Sequence, residues 1–246
     1  MGILVVLSHF RSFSQLYQPM ELVEYLSKIP LFNGLPKEQL VDLAQITVTL
    51  DRDKGQVIFS EGDEGTGFYL VLQGRIKVYK LSPGGKEQTL HIFGSGEPFG
   101  EVPVFAGKHF PANAEALEKS KVLFFPRTSL IKLIEKNPSL ALNMLAILAR
   151  RLREFTVQIE HLSLKEVPSR LAAYLLYLSD REGGSLEVKL DITKGQLASL
   201  LGTIPETLSR IFARMNKQGI IEINGPHIKI LSRPALEELV EFGSGL

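Results

Sequence analysis

The sequence contains no cysteine and no tryptophan among its 246 residues. The absence of cysteine excludes disulfides, thiol catalysis and any iron–sulfur cluster held by cysteine thiolates. The charge is also nearly balanced, with 28 Lys and Arg against 27 Asp and Glu. That balance excludes a polybasic protein but leaves room for a small basic face on a neutral chain. A chain of this length forms a substantial hydrophobic core without cross-links.

Long apolar runs are missing as well. The run near the N-terminus, Ile3 to Leu7, is too short for a signal-peptide core, and no basic residue precedes it. No segment supplies the ~20 apolar residues that a membrane-spanning helix needs. We therefore expect a cytoplasmic protein with no membrane partner.

The first half of the chain has the pattern of a β-rich domain. Residues 1–20 show no clean periodicity and are interpreted as an N-terminal arm. After a short helical stretch, apolar runs of strand length alternate with glycine turns across residues 46–126. Many short strands with frequent turns are typical of a β-sandwich or barrel. We predict an α+β fold whose sensing domain covers residues 21–137.

A long helix is predicted over residues 138–163. Its apolar residues recur at alternating spacings of three and four, which is the a/d pattern of a coiled-coil seam. An ordinary core helix packed on the β-domain is the alternative, but the flanking charges favour the dimerisation helix of a homodimer. The predicted dimer interface consists of Leu145, Leu148, Leu152, Phe155, Ile159 and Leu162.

The last part of the chain, residues 164–246, contains a helix-turn-helix pattern followed by a wing. Thr193 is a candidate N-cap of the first helix. Gly202 lies at a tight turn between two helices, where a residue without a Cβ is needed. Pro205 is in the first turn of the second helix, where its missing N–H has no consequence. Two apolar runs flank Asn224 to His227 and predict a hairpin, which completes a winged helix-turn-helix.

The second of these helices has the residues of a DNA-reading face. Glu206, Ser209 and Arg210 share its exposed N-terminal side. Arginine can bind guanine with two parallel hydrogen bonds and glutamate can accept from cytosine, while Lys194 is suited to a phosphate. The alternative is a helical hairpin with ordinary solvated charges. The candidate DNA-binding residues are Thr193, Lys194, Pro205, Glu206, Ser209 and Arg210.

A modest charge asymmetry agrees with this interpretation. Residues 165–234 contain ten basic and seven acidic side chains, which leaves this part at about +3. The rest of the chain is then slightly acidic. A small basic face on a neutral protein is sufficient for DNA binding.

The order of β-roll, long helix and winged helix-turn-helix resembles the CRP/FNR family of bacterial transcription regulators. The resemblance covers residues 21–235 and rests on Glu61-Gly62-Asp63, on Gly96 to Glu101 and on Pro205 to Arg210. The Glu-x-x-Ser-Arg form is that of the FNR-like branch, which implies an inverted repeat with TTGA…TCAA half-sites. The resemblance implies a homodimer, double-stranded DNA as partner, and RNA polymerase as a further partner.

The resemblance also implies which effector to expect. Family members that bind cyclic AMP hold its ribose with a Gly-Glu pair, matched here by Gly100 and Glu101. Phe110 and Pro111 stand at the Arg and Ser positions that hold the cyclic phosphate, and a buried phosphate without such partners is poorly stabilised. Phe155 lies where the family contacts adenine. Cyclic AMP is therefore not expected, and a structural role of Glu101 stays open. The candidate effector pocket is Gly100, Glu101, Phe110, Pro111, Ala112, Phe155 and Thr156.

Haem, a small organic effector and no effector at all remain open. Residues 110–116 resemble the nitrogen-oxide-responsive branch, the DNR- and HcpR-like proteins, some of which sense nitric oxide through haem. That resemblance makes haem a candidate cofactor, with His9, His109 or His161 as candidate axial ligands.

Two other function classes agree less well with the sequence. A cupin-like metal enzyme needs clustered histidines on neighbouring strands, and the sequence has no His-x-His pair, so we do not expect an enzyme. A nucleotide-sensing regulatory subunit that does not act on DNA is the second alternative. The exposed face with Glu206, Ser209 and Arg210 argues against it.

Overall fold

The computed structural model describes residues 19–107 and 109–243, without the side chains of Pro19 and His161. Residues 1–18 of the predicted arm, and with them the candidate haem ligand His9, lie outside the described residues. The predicted haem ligation by the His161 side chain also falls outside them.

Two short helices precede the β-domain. Helix α1 covers Pro19–Ser27 and α2 covers Lys37–Ile46, with a 3-10 turn at Pro30–Phe32 between them. Both helices are amphipathic, and the side chains of Leu26 and Leu43 are fully buried. These helices cover one face of the β-domain.

Eight short strands form the β-roll as two antiparallel sheets. The first sheet has the order β1-β8-β3-β6 and the second has the order β2-β7-β4-β5. The strand bounds are β1 Val48–Arg52, β2 Val57–Phe59, β3 Gly67–Gln73, β4 Ile76–Leu81, β5 Glu87–Phe93, β6 Pro98–Phe99, β7 Asn113–Ala116 and β8 Ser120–Pro126. The short β-rich runs of the sequence thus form the predicted roll.

Aromatic rings fill the space between the two sheets. Phe59 and Phe110 stack with ring centroids 3.7 Å apart, and Tyr69, Phe93 and Phe99 surround them. The outer face of the first sheet packs against the helices in a second cluster around Phe32, Phe68 and Phe125. The roll is therefore closed by its own side chains on both sides of the first sheet.

Two helices connect the roll to the C-terminal part. They are α4 at Arg127–Lys136 and the long α5 at Ser139–Leu164, whereas the short α3 at Val102–Phe105 lies within the roll between β6 and β7. Helix α5 has 26 residues, which makes it roughly 39 Å long. No helix in the described part of the chain is long and apolar enough to cross a membrane.

The C-terminal part is a winged helix-turn-helix. Its helices are α6 Val167–Arg181, α7 Lys194–Leu200, α8 Pro205–Lys217 and α9 Arg233–Phe242. Its sheet has the order β10-β11-β9, formed by β9 Glu187–Lys189, β10 Ile221–Asn224 and β11 His227–Ile230. One apolar cluster that includes Leu171, Leu197, Phe212 and Leu236 joins all four helices.

Helix α7 packs directly on strand β5 of the roll. The buried hydroxyl groups of Thr89 and Ser199 lie 2.9 Å apart, and the Gln88 amide donates to the Ser199 carbonyl at 3.0 Å. Nearby, the Arg75 guanidinium lies 3.6 Å from the Asp191 carboxylate and donates to the Asp191 carbonyl. Polar contacts therefore fix the helix-turn-helix against the roll.

Candidate DNA interface and effector pocket

A capping box starts the first helix of the helix-turn-helix. The Thr193 hydroxyl accepts from the Gln196 backbone N–H at 3.2 Å, and the Gln196 side chain accepts from the Thr193 N–H at 2.8 Å. This exchange satisfies two amides that the helix itself leaves free. The exposed Lys194 follows, with its Nζ 5.6 Å from the centre of the Phe212 ring. Lys194 thus lies on the outer surface where α7 meets α8.

The turn between the two helices requires glycine. Gly202 has a φ of +67°, and a Cβ there would lie 2.8 Å from a methyl carbon of Leu162 on α5. Both observations exclude a side chain at this position. Pro205 then opens α8 at its first turn, as the sequence predicts.

Helix α8 is strongly amphipathic and exposes one face. Its inner side buries Leu208, Phe212 and Met215 in the core of the winged domain. The side chains of Glu206, Ser209 and Arg210 are all exposed, as predicted, and share the opposite side of the helix. The Nε of Arg210 donates to the carbonyl of Glu206 at 3.4 Å, which leaves the end of the guanidinium directed outward. The structure therefore groups the three predicted base-reading residues on one accessible surface.

Glu101 of the candidate effector pocket is paired within the chain. Its carboxylate accepts from the Arg151 guanidinium at 2.5 Å, and the two side chains are only 12% and 14% exposed. Arg151 also donates to the carbonyl of Pro98 and lies 4.7 Å above the Phe93 ring. Sequence analysis did not identify Arg151, because this contact joins residues 50 positions apart. The signal in the sequence is the position of Arg151, three residues after Leu148 and four before Phe155, on the side of α5 that the structure shows to be half-buried.

Phe110 occupies the space next to Glu101. It is 4% exposed and stacks on Phe59. Gly100 has a φ of +71°, and a Cβ there would lie 3.0 Å from the Phe59 ring and 3.3 Å from the Phe110 ring. The aromatic ring therefore fills this part of the roll, and Gly100 is required to admit it.

The remaining candidate pocket residues are not brought together. Ala112 is buried, whereas Pro111 is exposed and its carbonyl accepts from Lys80 at 3.0 Å. Thr156 is exposed, and its hydroxyl donates to the Leu152 carbonyl, so it does not face the roll of its own chain. Phe155 is half-buried on another side of α5. The predicted seven-residue pocket thus separates into a packed group around Phe110, the exposed Pro111, and Phe155 and Thr156 on different sides of α5.

The predicted dimer seam also separates into two groups. Leu145, Leu152 and Ile159 are 60%, 69% and 63% exposed and form one continuous stripe along α5. Leu148, Phe155 and Leu162 are half-buried within the chain, and Leu162 lies against the turn at Gly202. The sequence spacing does not distinguish these groups, because both repeat every seven residues.

Of the three candidate haem ligands, the side chain of His109 is the one that the described part of the chain includes. Among the described residues, no group of three His, Cys, Asp or Glu side chains is placed to hold a metal ion. His109 is exposed, and its Nδ1 lies 3.0 Å from the Gly62 carbonyl. The next residue, Phe110, is buried in the roll and stacks on Phe59. The chain's own aromatic rings thus fill the interior next to His109, which argues against a haem at that place.

Comparison with known proteins agrees with both halves of this architecture. The family model of the "Cyclic nucleotide-binding domain" matches residues 51–137. The family model of the "Crp-like helix-turn-helix domain" matches residues 169–239. The chain is 37% identical over 216 residues to the "Cyclic AMP receptor protein" of Thermus thermophilus, covering 87% of this chain and 97% of that protein. It is 34% identical over 190 residues to the "Fumarate and nitrate reduction regulatory protein" of Escherichia coli K12, covering 76% of each.

A solved structure gives the same result. The FixK2 structure from Bradyrhizobium japonicum superposes with a TM-score of 0.69 at 26% identity, covering 79% of this chain and 97% of that one. These relatives are regulators of transcription and not enzymes, which confirms the expectation of a non-enzymatic protein. The chain belongs to the CRP/FNR family of DNA-binding transcription regulators.

Proposed function

We propose that this protein acts as a homodimer that binds an inverted repeat with TTGA…TCAA-like half-sites. The observation that carries the proposal is the exposed face of α8. Glu206, Ser209 and Arg210 lie together on this face, and the opposite side of the helix packs into the apolar core of the winged domain. In a helix-turn-helix, this face enters the major groove and its side chains reach base edges. Lys194, and the capped N-terminus of α7 at Thr193, lie beside it for phosphate contacts.

The apolar stripe on α5 supports the homodimer. Leu145, Leu152 and Ile159 are exposed along one side of a long helix, where water contact is unfavourable. A second copy of the same stripe covers it with two-fold symmetry. Two recognition helices related by that symmetry then reach successive major grooves about 34 Å apart, which requires an inverted repeat.

We further propose that cyclic AMP is not the effector, although one relative is named a cyclic AMP receptor protein. Three features argue against it. Phe110 fills the phosphate position, Arg151 already neutralises Glu101, and Phe155 replaces a polar adenine contact. We favour a small organic effector over haem, because aromatic side chains of the chain fill the interior next to His109. A response to nitrogen oxides through His9 or His161 stays a prediction.

Besides a second copy of this chain, we propose RNA polymerase as a protein partner. The homodimer and the polymerase would meet on DNA in the cytoplasm. The support is membership of a family that includes the "CRP-like cAMP-activated global transcriptional regulator" of Mycobacterium tuberculosis. The proposed division is a sensing domain at 21–137, a dimerisation helix at 138–163 and a DNA-binding domain at 164–246.

Fluorescence anisotropy on labelled duplexes tests the DNA-binding proposal. We expect tight binding to a TTGA…TCAA inverted repeat, weaker binding to an isolated half-site, and the weakest binding to a scrambled duplex. Equal affinity for all three duplexes at physiological salt would contradict sequence reading, and no binding at all would favour a regulatory subunit that does not act on DNA. In parallel, calorimetry with cyclic AMP is expected to show no saturable heat.

A further inference from the structure

A cavity lies where the long helix meets the winged domain. Its volume is about 310 Å³, within the range of small-molecule sites. Helix α5 contributes Gln158 and Leu162, α6 contributes Arg170, Ala173 and Tyr174, and Leu201 follows directly after the end of α7. The walls are mostly apolar, and the cavity is separate from the aromatic core of the roll.

One polar atom of this cavity is unsatisfied. The Nε of Arg170 is buried and has no hydrogen-bond partner among the described residues. No carboxylate of the described residues forms an ion pair with Arg170, and partial burial lowers the pKa of its guanidinium. The buried Nε has lost its hydration without gaining a partner, while the end of the partly exposed guanidinium stays within reach of a ligand.

The surroundings of Arg170 are suited to a flat organic anion. The rings of Tyr174 and Tyr177 border the cavity with their centroids 6.4 Å apart. Burial, together with the charge of Asp191, raises the pKa of Tyr174, so its hydroxyl keeps its proton and can donate a hydrogen bond. The acidic Glu154 also borders the cavity, but it is exposed, and solvent screens its charge.

We propose that this cavity binds a small aromatic carboxylate, whose anionic group pairs with Arg170 and whose ring lies between Tyr174 and Leu201. The apolar walls take the ring, and the partly exposed end of the Arg170 guanidinium gains a counter-charge that the described residues do not provide. The inference names a site and a ligand class for the small organic effector of the proposed function. The binding itself does not depend on DNA recognition and is measured without DNA.

Two fluorescent dyes of nearly the same shape test the site. 1-Anilinonaphthalene-8-sulfonate is an aromatic anion, and N-phenyl-1-naphthylamine is the same ring system without the charge. We expect the intact protein to bind both dyes, the anionic dye more tightly. We also expect 2-naphthoate, but not 2-naphthol, to displace the anionic dye.

Three variants separate this site from other apolar surfaces. Arg170→Met is expected to lower the affinity for the anionic dye by about tenfold or more, as for the loss of a charge-assisted hydrogen bond. The affinity for the neutral dye is expected to stay unchanged. Ala173→Trp fills the cavity and is expected to abolish both. Arg150→Met, on the exposed surface of α5, is the matched control and is expected to change neither.

The proposal is overturned if Arg170→Met binds the anionic dye as tightly as the intact protein does. It is also overturned if Ala173→Trp, shown to be folded by its circular dichroism spectrum, still binds both dyes. The dyes would then lie elsewhere, for example on the exposed apolar stripe of α5. Because Arg170 is partly exposed and methionine keeps most of its apolar stem, Arg170→Met is expected to fold as the intact protein does. Its dye binding therefore tests the proposal even if Ala173→Trp fails to fold. A failure of DNA binding leaves all these dye results unchanged.

Discussion

Thr89 on β5 and Ser199 on α7 hold the roll and the helix-turn-helix together through a pair of buried hydroxyl groups 2.9 Å apart. The Ser199 oxygen also accepts the backbone N–H of Thr89 at 3.0 Å. Hydrogen bonds are directional, so this pair fixes the angle of α7 more strictly than apolar contact alone. The orientation of the DNA-reading face therefore depends on two small side chains distant from it.

Replacing Ser199 by alanine should loosen this junction. The Thr89 N–H would then be buried without an acceptor, which costs about 1–3 kcal/mol. We expect a lower midpoint of urea unfolding and faster hydrogen exchange of the amides in α7. Ser163→Ala, at an exposed serine of α5, is the matched control. Equal exchange in α7 for the two variants would show that the hydroxyl pair does not hold the domains together.

Leu152→Glu should dissociate the proposed dimer. Leu152 is at the middle of the exposed stripe, where a carboxylate would be buried opposite its own copy without a counter-charge. Sedimentation at micromolar concentration should change from dimer to monomer. Arg150→Glu places the same side chain on another exposed side of α5 and should stay dimeric. An intact protein that sediments as a monomer would remove the basis of this prediction.

Arg210→Ala and Lys194→Ala should affect DNA binding differently. Loss of a base contact at Arg210 should cost about 1–3 kcal/mol per half-site and relax the preference for guanine in TTGA. Lys194→Ala should weaken all sequences alike and reduce the salt slope by about one per subunit. Titrations on single-base variants of the repeat at several salt concentrations give both quantities. A uniform loss across all variants for Arg210→Ala would make Arg210 a phosphate contact.

Arg151→Met should destabilise the fold more than Arg151→Met combined with Glu101→Gln. The single change leaves the Glu101 carboxylate nearly buried without its partner, which costs about 3–5 kcal/mol, whereas the double change removes both charges. Urea unfolding of the two single variants, the double variant and the intact protein completes a double-mutant cycle. Strictly additive changes would mean that the pair contributes no coupling.

The winged domain was predictable because its signals are local. Gly202 and Pro205 mark a turn and a helix start within four residues, and the structure places both as predicted. The start of α5 at Ser139 likewise follows the signal at Asn137 and Pro138. Helix α9 and strand β9 were not predicted, since their short amphipathic patterns are ambiguous without the core that they cover.

The candidate effector site was less predictable because it depends on distant contacts. The family resemblance identified Glu101, but not that Arg151 pairs with it, and it identified Phe110 without its stacking partner Phe59. The seam was predicted as six equivalent positions. Only the packing of the winged domain on α5 separates the exposed Leu152 from the half-buried Leu162.

The contact of α7 with β5 has a consequence for how the chain behaves in concentrated solution. Strand β5 is an outer strand of its sheet, and unpaired amides on such strands recruit strands from other molecules. Ser199 caps one of these amides, at Thr89, so the helix-turn-helix also protects the sheet from self-association. A mutation that releases α7 therefore risks aggregation of the protein in addition to altered control of transcription.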